Sequence, residues 1–167
     1  GTNVIKNIAL SFVLAEDLMG SDKSLFDFNL FWRRAITAAV AAELVMNELP
    51  DKNDSRFIMA LLKDIGIMVL YQSMGEEYLR LLTDNTINNE EELLHAEQEF
   101  LDYTHQDVGF LLLENWRIPS SITVPIRFHH QPERAGQEHG LAAKVLNVAG
   151  LMSVLYNTPG SSAKIRD

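Results

Sequence analysis

Residues 57–71 read FIMALLKDIGIMVLY, and no other stretch limits the fold so tightly. A helix that is apolar on every side is buried on every side. The only charges in this run, Lys63 and Asp64, stand at its middle, with Gly66 close behind. At helical spacing Lys63 shares a stripe with Met59, Ala60, Ile67 and Leu70, and Asp64 shares one with Leu61, Met68 and Tyr71. An unpaired charge there costs several kcal/mol, so both must find partners or water.

The same periodicity runs through the rest of the chain. Residues 3–19 predict a helix stopped by Gly20, and a long alanine-rich helix spans about 25–49 until Pro50. Further helices are expected over 75–83, 90–103, 106–116, 121–130 and 141–156, with Pro125 near the first turn of its helix. The tail from Asn157 to Asp167 has no period. No alternation is long enough to seed a sheet, and Pro125 argues against reading ITVPI as a central strand. The expectation is an all-α, multi-helix bundle around a buried central helix, one domain over 1–156 followed by a polar tail at 157–167.

Arg34 lies three residues after Phe31, four before Ala38 and seven before Ala41, a cation on an apolar stripe. It is expected to meet Asp64 across a helix–helix contact, unless Arg34 and Lys63 both reach the surface along their stems. Of five histidines, His105 starts a helix, His129 and His130 are adjacent, and His95 and His139 look exposed. Adjacent residues on a helix point different ways, so one of the pair should join His105 and the other line the edge.

Composition excludes several classes of function. The chain has 14 Lys and Arg against 23 Asp and Glu, a net charge of -9, and this field repels nucleic acid. There is no cysteine, hence no disulfide, thiolate metal site or cysteine nucleophile. No run is expected to reach the roughly 20 apolar residues of a membrane span. No secretory signal is visible, and a cytoplasmic location without membrane contact is expected.

The order of these features resembles the HDOD family, the HD-related output domains of bacterial signalling proteins. The residues that carry the likeness are Phe31-Trp32-Arg33-Arg34, Ala60 to Gly66, and Glu97. They continue with His105-Gln106-Asp107-Val108-Gly109, Leu112, Trp116, Pro119, His129-His130 and the helix over 141–155. Asp102 stands where the family usually has glycine, and Asp tolerates a left-handed backbone. The family's further front helices imply that this chain corresponds to the C-terminal part of such a domain, and the surface they leave could pair two copies as a homodimer.

The catalytic relatives, HD-type phosphohydrolases, hold metal with His, His-Asp and Asp. Matching position by position, Arg34 replaces the first His, Lys63 the His of the His-Asp pair, and Gly150 the last Asp. Arg has no lone pair, Lys63 would have to lose a proton to bind a metal, and Gly150 has no side chain. The resemblance therefore implies a degenerate pocket of Arg34, Lys63, Asp64, His105, His129 and His130, with no cofactor and no catalysis. The expected partners are other signalling domains or proteins. The alternative is a metal-dependent phosphohydrolase holding a divalent ion with Asp64, His105 and His129 or His130. A small anion held by Arg34, Lys63 and His105 is a third use of the same pocket.

Overall fold

The computed structural model describes residues 26–47, 55–84, 86–87 and 89–157. The expected helix at 3–19 and the tail beyond Asn157 lie outside them. Eight α-helices and one 3-10 turn form the described fold, with no strand among those residues. They are α1 (Phe28–Asn47), α2 (Arg56–Leu62), α3 (Ile65–Met74), α4 (Glu76–Leu82), α5 (Glu90–Leu101), α6 (His105–Asn115), α7 (Ser120–Arg127) and α8 (Gly136–Asn157). The 3-10 turn, Pro132–Ala135, leads into α8.

Alanines explain the longest contact. Ala35, Ala38, Ala39, Ala41 and Ala42 are all buried on α1, and their small side chains let α8 lie close, with Leu146 and Ala149 of α8 in the same core. Asn157 Nδ2 reaches Thr37 Oγ1 at 3.4 Å, so the end of α8 meets the first half of α1. Met59, Ala60 and Leu62 of α2, Leu113 of α6, and Ile122 and Ile126 of α7 complete the main core.

The expected single helix over 57–71 is two helices. α2 ends at Leu62, the chain turns through Lys63 and Asp64, and α3 starts at Ile65. In an unbroken helix neighbouring side chains diverge by about 100°. The turn instead directs the Lys63 and Asp64 side chains at one another. The buried central element is thus interrupted at its two charges.

Gly66 fixes what α3 packs against. A Cβ there would run into the carbonyl of His105 and the backbone nitrogen of Gly109. On the facing helix, a Cβ on Gly109 would meet Gly66 N at 3.4 Å. The two glycines let the backbones of α3 and α6 touch, and this brings the starts of both helices, and so Asp64 and His105, to the same place.

Local signals set the remaining boundaries. Asn89 caps α5 by accepting from Glu92 N, and three acidic residues fill its first turn. Asp102 ends α5 with φ of 64°, the left-handed backbone expected at that position. Thr104 donates through N–H and hydroxyl to Asp107 as α6 begins. Pro125 departs from expectation: it is the sixth residue of α7, not part of its first turn, and it is buried. Residues 56–74 and 132–157 are each long and apolar enough to cross a membrane by length and composition, contrary to expectation. The first is broken at Lys63 and Asp64, and both pack within the bundle.

Candidate functional site

Asp64 has a close neighbour on each carboxylate oxygen. Lys63 Nζ lies 2.6 Å from Oδ2, and His129 Nε2 lies 3.2 Å from Oδ1. Lys63 is only 2% exposed, so its ammonium is committed to this carboxylate. Burial by itself would raise the Asp64 pKa, but Lys63 and the neighbouring imidazoles outweigh it and hold the group well below the usual carboxylate range.

Room for Lys63 comes from α8. A Cβ on Gly150 would stand 3.1 Å from Lys63 Cε and 3.2 Å from Nζ. The missing side chain at 150 and the long cation at 63 are complementary.

Arg34 does not meet Asp64 but follows the alternative expectation and reaches the surface, whereas Lys63 does not. Arg34 is exposed on α1, at the lining of a cavity of about 440 Å³ that also touches Asp64, His105, His130 and Glu90. The ion partner of Asp64 is Lys63, and the neutral His129 ring is its other close neighbour. The long guanidinium stem reaches solvent, whereas Lys63 is next in sequence at a turn that aims it inward.

Both histidines of the pair join His105, contrary to expectation. His129 and His130 follow the end of α7, on a turn where the helical divergence of neighbours does not apply. The His129 and His130 ring centroids are 3.9 Å apart, and each lies within 6 Å of the His105 ring, at 5.9 and 5.3 Å. His95 is exposed as expected, whereas His139 is half-buried.

Each ring is tethered through Nδ1. His105 Nδ1 contacts Glu97 Oε2 at 2.8 Å, and the His105 backbone N–H donates to the same oxygen at 2.8 Å. Tyr78 donates its hydroxyl to Glu97 Oε1. His129 Nδ1 donates to the carbonyl of Ile126 at 2.6 Å, and His130 Nδ1 meets Glu90 Oε2 at 3.1 Å. The free edges converge, with His105 Nε2 and His130 Nε2 3.3 Å apart.

Burial alone would push His105 down, but Glu97 wins and its pKa is raised, favouring an imidazolium–carboxylate pair. Burial, then the charges of His130 and Lys63, drive His129 down to about 3, so that ring is neutral. His130 is lowered too, chiefly by burial. Glu97 would rise on burial, yet His105 holds it below its ordinary value.

Glu90 and Tyr78 are the residues that sequence reasoning missed, and Glu97 was noted without a role. A signal existed: Glu90, Leu94, Glu97 and Leu101 recur at helical spacing, placing two carboxylates on the inward stripe of α5.

Comparison with known proteins follows the same outline. The HDOD domain profile matches residues 1–132. The chain belongs to the HDOD family. Among solved structures, an HDOD domain protein of unknown function from Geobacter sulfurreducens is 20% identical with a TM-score of 0.69, over 90% of this chain and 56% of that one. A Shewanella amazonensis protein, whose name assigns it provisionally as a phosphohydrolase, is 16% identical with a TM-score of 0.73, over 93% and 56%. The MmoQ response regulator from Methylococcus capsulatus str. Bath is 24% identical with a TM-score of 0.65, over 84% and 57%. At these identities the likeness is one of fold, and the chain spans little more than half the length of each of these structures. No curated protein matches.

Within this HDOD chain, positions 34, 63 and 150 offer a metal no usable donor. Asp64, His105, His129 and His130 nevertheless bring one donor atom each to within 4.8 Å of one another. His129 Nε2 is buried and has no hydrogen-bond partner. The set therefore fits one cation, not a centre that also draws on 34, 63 and 150.

Proposed function

We propose that this HDOD domain is a non-catalytic module of bacterial signalling that works through contacts with other signalling domains or proteins. The observation that carries the reading is the 2.6 Å contact of Lys63 Nζ with Asp64 Oδ2, made in the space that Gly150 leaves. In a hydrolytic relative, that carboxylate would serve an ion able to polarise a phosphoester and lower the pKa of a bound water. Here one of its oxygens already has a fixed, buried counter-charge. An ammonium offers no exchangeable coordination position to substrate or water.

Surface chemistry supports the rest. On α1, Ile36, Val40 and Leu44 recur every fourth residue and are 52%, 48% and 62% exposed; on α8, Leu151, Leu155 and Tyr156 are 51%, 68% and 61% exposed. Such faces suit contacts with another domain. The family's occurrence in signalling proteins and the net charge of -9 agree with a protein partner in place of nucleic acid.

The test joins two assays on the purified chain. Phosphomonoester and phosphodiester hydrolysis is measured with and without added Mn²⁺, Fe²⁺ or Zn²⁺, and binding is measured against the domains encoded beside it. Binding without turnover supports the module; turnover that disappears in Asp64→Ala overturns it.

A further inference from the structure

Lone pairs in the pocket have no visible means of coexisting. A carbonyl oxygen only accepts, so His129 Nδ1, 2.6 Å from Ile126 O, must carry the ring's proton. The neutral ring then presents a bare Nε2, and that atom faces Asp64 Oδ1, a second acceptor, at 3.2 Å. Two acceptors at that distance repel unless a positive charge lies between them. His129 is 1% exposed and Nε2 has no hydrogen-bond partner, so bulk water does not supply one.

The other two rings are set in the same way. Glu97 and Glu90 each take the Nδ1 side of a ring, His105 and His130, leaving both Nε2 atoms directed inward 3.3 Å apart. Acceptors behind each imidazole are what metal-binding histidines need, since they fix the tautomer and the ring and raise basicity. Ligands bonded to one small divalent ion at about 2.0–2.1 Å stand roughly 3.3 Å from one another. Two edges of this set, 3.2 and 3.3 Å, already have that length.

We propose that Asp64 Oδ1 and the Nε2 atoms of His105, His129 and His130 form a closed site for one borderline divalent ion of the zinc class, while Lys63 keeps Asp64 Oδ2. Sites with four protein donors are structural; catalytic ones keep a position open for water or substrate. The ion would tie the start of α3, the start of α6 and the turn after α7 together, a ligand-controlled clamp within the module. This deepens the reading of a non-catalytic domain and rests on it only for the word closed.

The chain is stripped with a chelator, titrated with Zn²⁺ against a chromogenic competitor, and followed by imidazole ¹H–¹⁵N spectra. The expected result is one ion per chain, with large shifts of three Nε2 signals and retention of the three Nδ1 protons. His129→Gln and His130→Gln should each weaken binding at least about tenfold, and Lys63→Met should retain it. Circular dichroism confirms that the variants fold, and the imidazole spectra of the parent chain decide the matter if either does not. Absence of stoichiometric binding, or binding that leaves the Nε2 signals unmoved, overturns the inference and leaves the non-catalytic reading standing. Stoichiometric binding with Asp64-dependent hydrolysis does the reverse.

Discussion

Lys63 and Gly150 share one volume: the lysine tip passes 3.1–3.2 Å from where a Cβ on the glycine would stand. A glycine inside α8 costs roughly 0.5–1 kcal/mol relative to alanine, so its presence calls for a local reason, and the ammonium of Lys63 supplies it. Gly150→Ala should therefore fail to stabilise the parent chain, because the gain in helix propensity is offset by displacing Lys63 from Asp64. In a Lys63→Met background the same change should stabilise by about 0.5–1 kcal/mol. Urea unfolding of the four chains of this cycle measures the coupling, and strict additivity would show that the two positions are independent.

Removing the cation alone leaves Asp64 with fewer counter-charges. Lys63→Met is expected to destabilise by about 1–3 kcal/mol, below the full cost of breaking a buried pair because water reaches part of Asp64. Adding Asp64→Asn should return part of the loss. Equal stability of Lys63→Met and the parent would mean that the ion pair is not formed in solution.

Gly66→Ala tests the contact that assembles the pocket. Its Cβ meets backbone, the carbonyl of His105 and the nitrogen of Gly109, and neither can rotate away. A loss of about 3 kcal/mol or more is expected, with altered His105 ring signals, because α3 and α6 must separate. A loss below about 1 kcal/mol would show that this helix crossing is looser than the backbone distances indicate.

Acid should act through His129. Its folded pKa, about 3, lies below the ordinary value of 6.5. A lowered pKa means that the folded state resists taking the proton. The contribution is fully present above pH 6.5 and is lost as pH falls from there towards 3, by up to about 1.4 kcal/mol per pH unit. His105 has the opposite sign: its raised pKa favours the fold below pH 6.5, and that gain fades as pH rises through the folded value. Chelator-treated parent and His129→Gln, unfolded in urea between pH 7 and 4, should differ progressively as pH falls. Parallel curves would place the His129 proton elsewhere.

Much of this arrangement was legible in residue order. The apolar run around Lys63-Asp64 and the His105 start of α6 follow from local periodicity, the left-handed Asp102 follows from the family resemblance, and the structure has each. Three features depend on tertiary geometry. The break at Lys63-Asp64 sets two adjacent charges against one another in one pocket, whereas hydropathy treats 57–71 as uniform. His129 and His130 were separated by a helical rule that stops applying once α7 ends at Arg127. Arg34 looked like the partner of Asp64 because spacing reveals the face of a helix, not how far a flexible stem reaches past it. The carboxylates behind the histidines, Glu90 and Glu97, were visible as a stripe on α5, but only the fold shows which rings they hold.

The central claim, that Lys63 fills the place of a catalytic ion's charge beside Asp64, is tested most directly by turnover. Parent chain and Asp64→Ala, each supplied with Mn²⁺, Fe²⁺ or Zn²⁺, are incubated with p-nitrophenyl phosphate and bis(p-nitrophenyl) phosphate, and release of nitrophenolate is followed. The account predicts that both chains remain at the rate of metal alone. Metal-dependent release by the parent that vanishes in Asp64→Ala would contradict it.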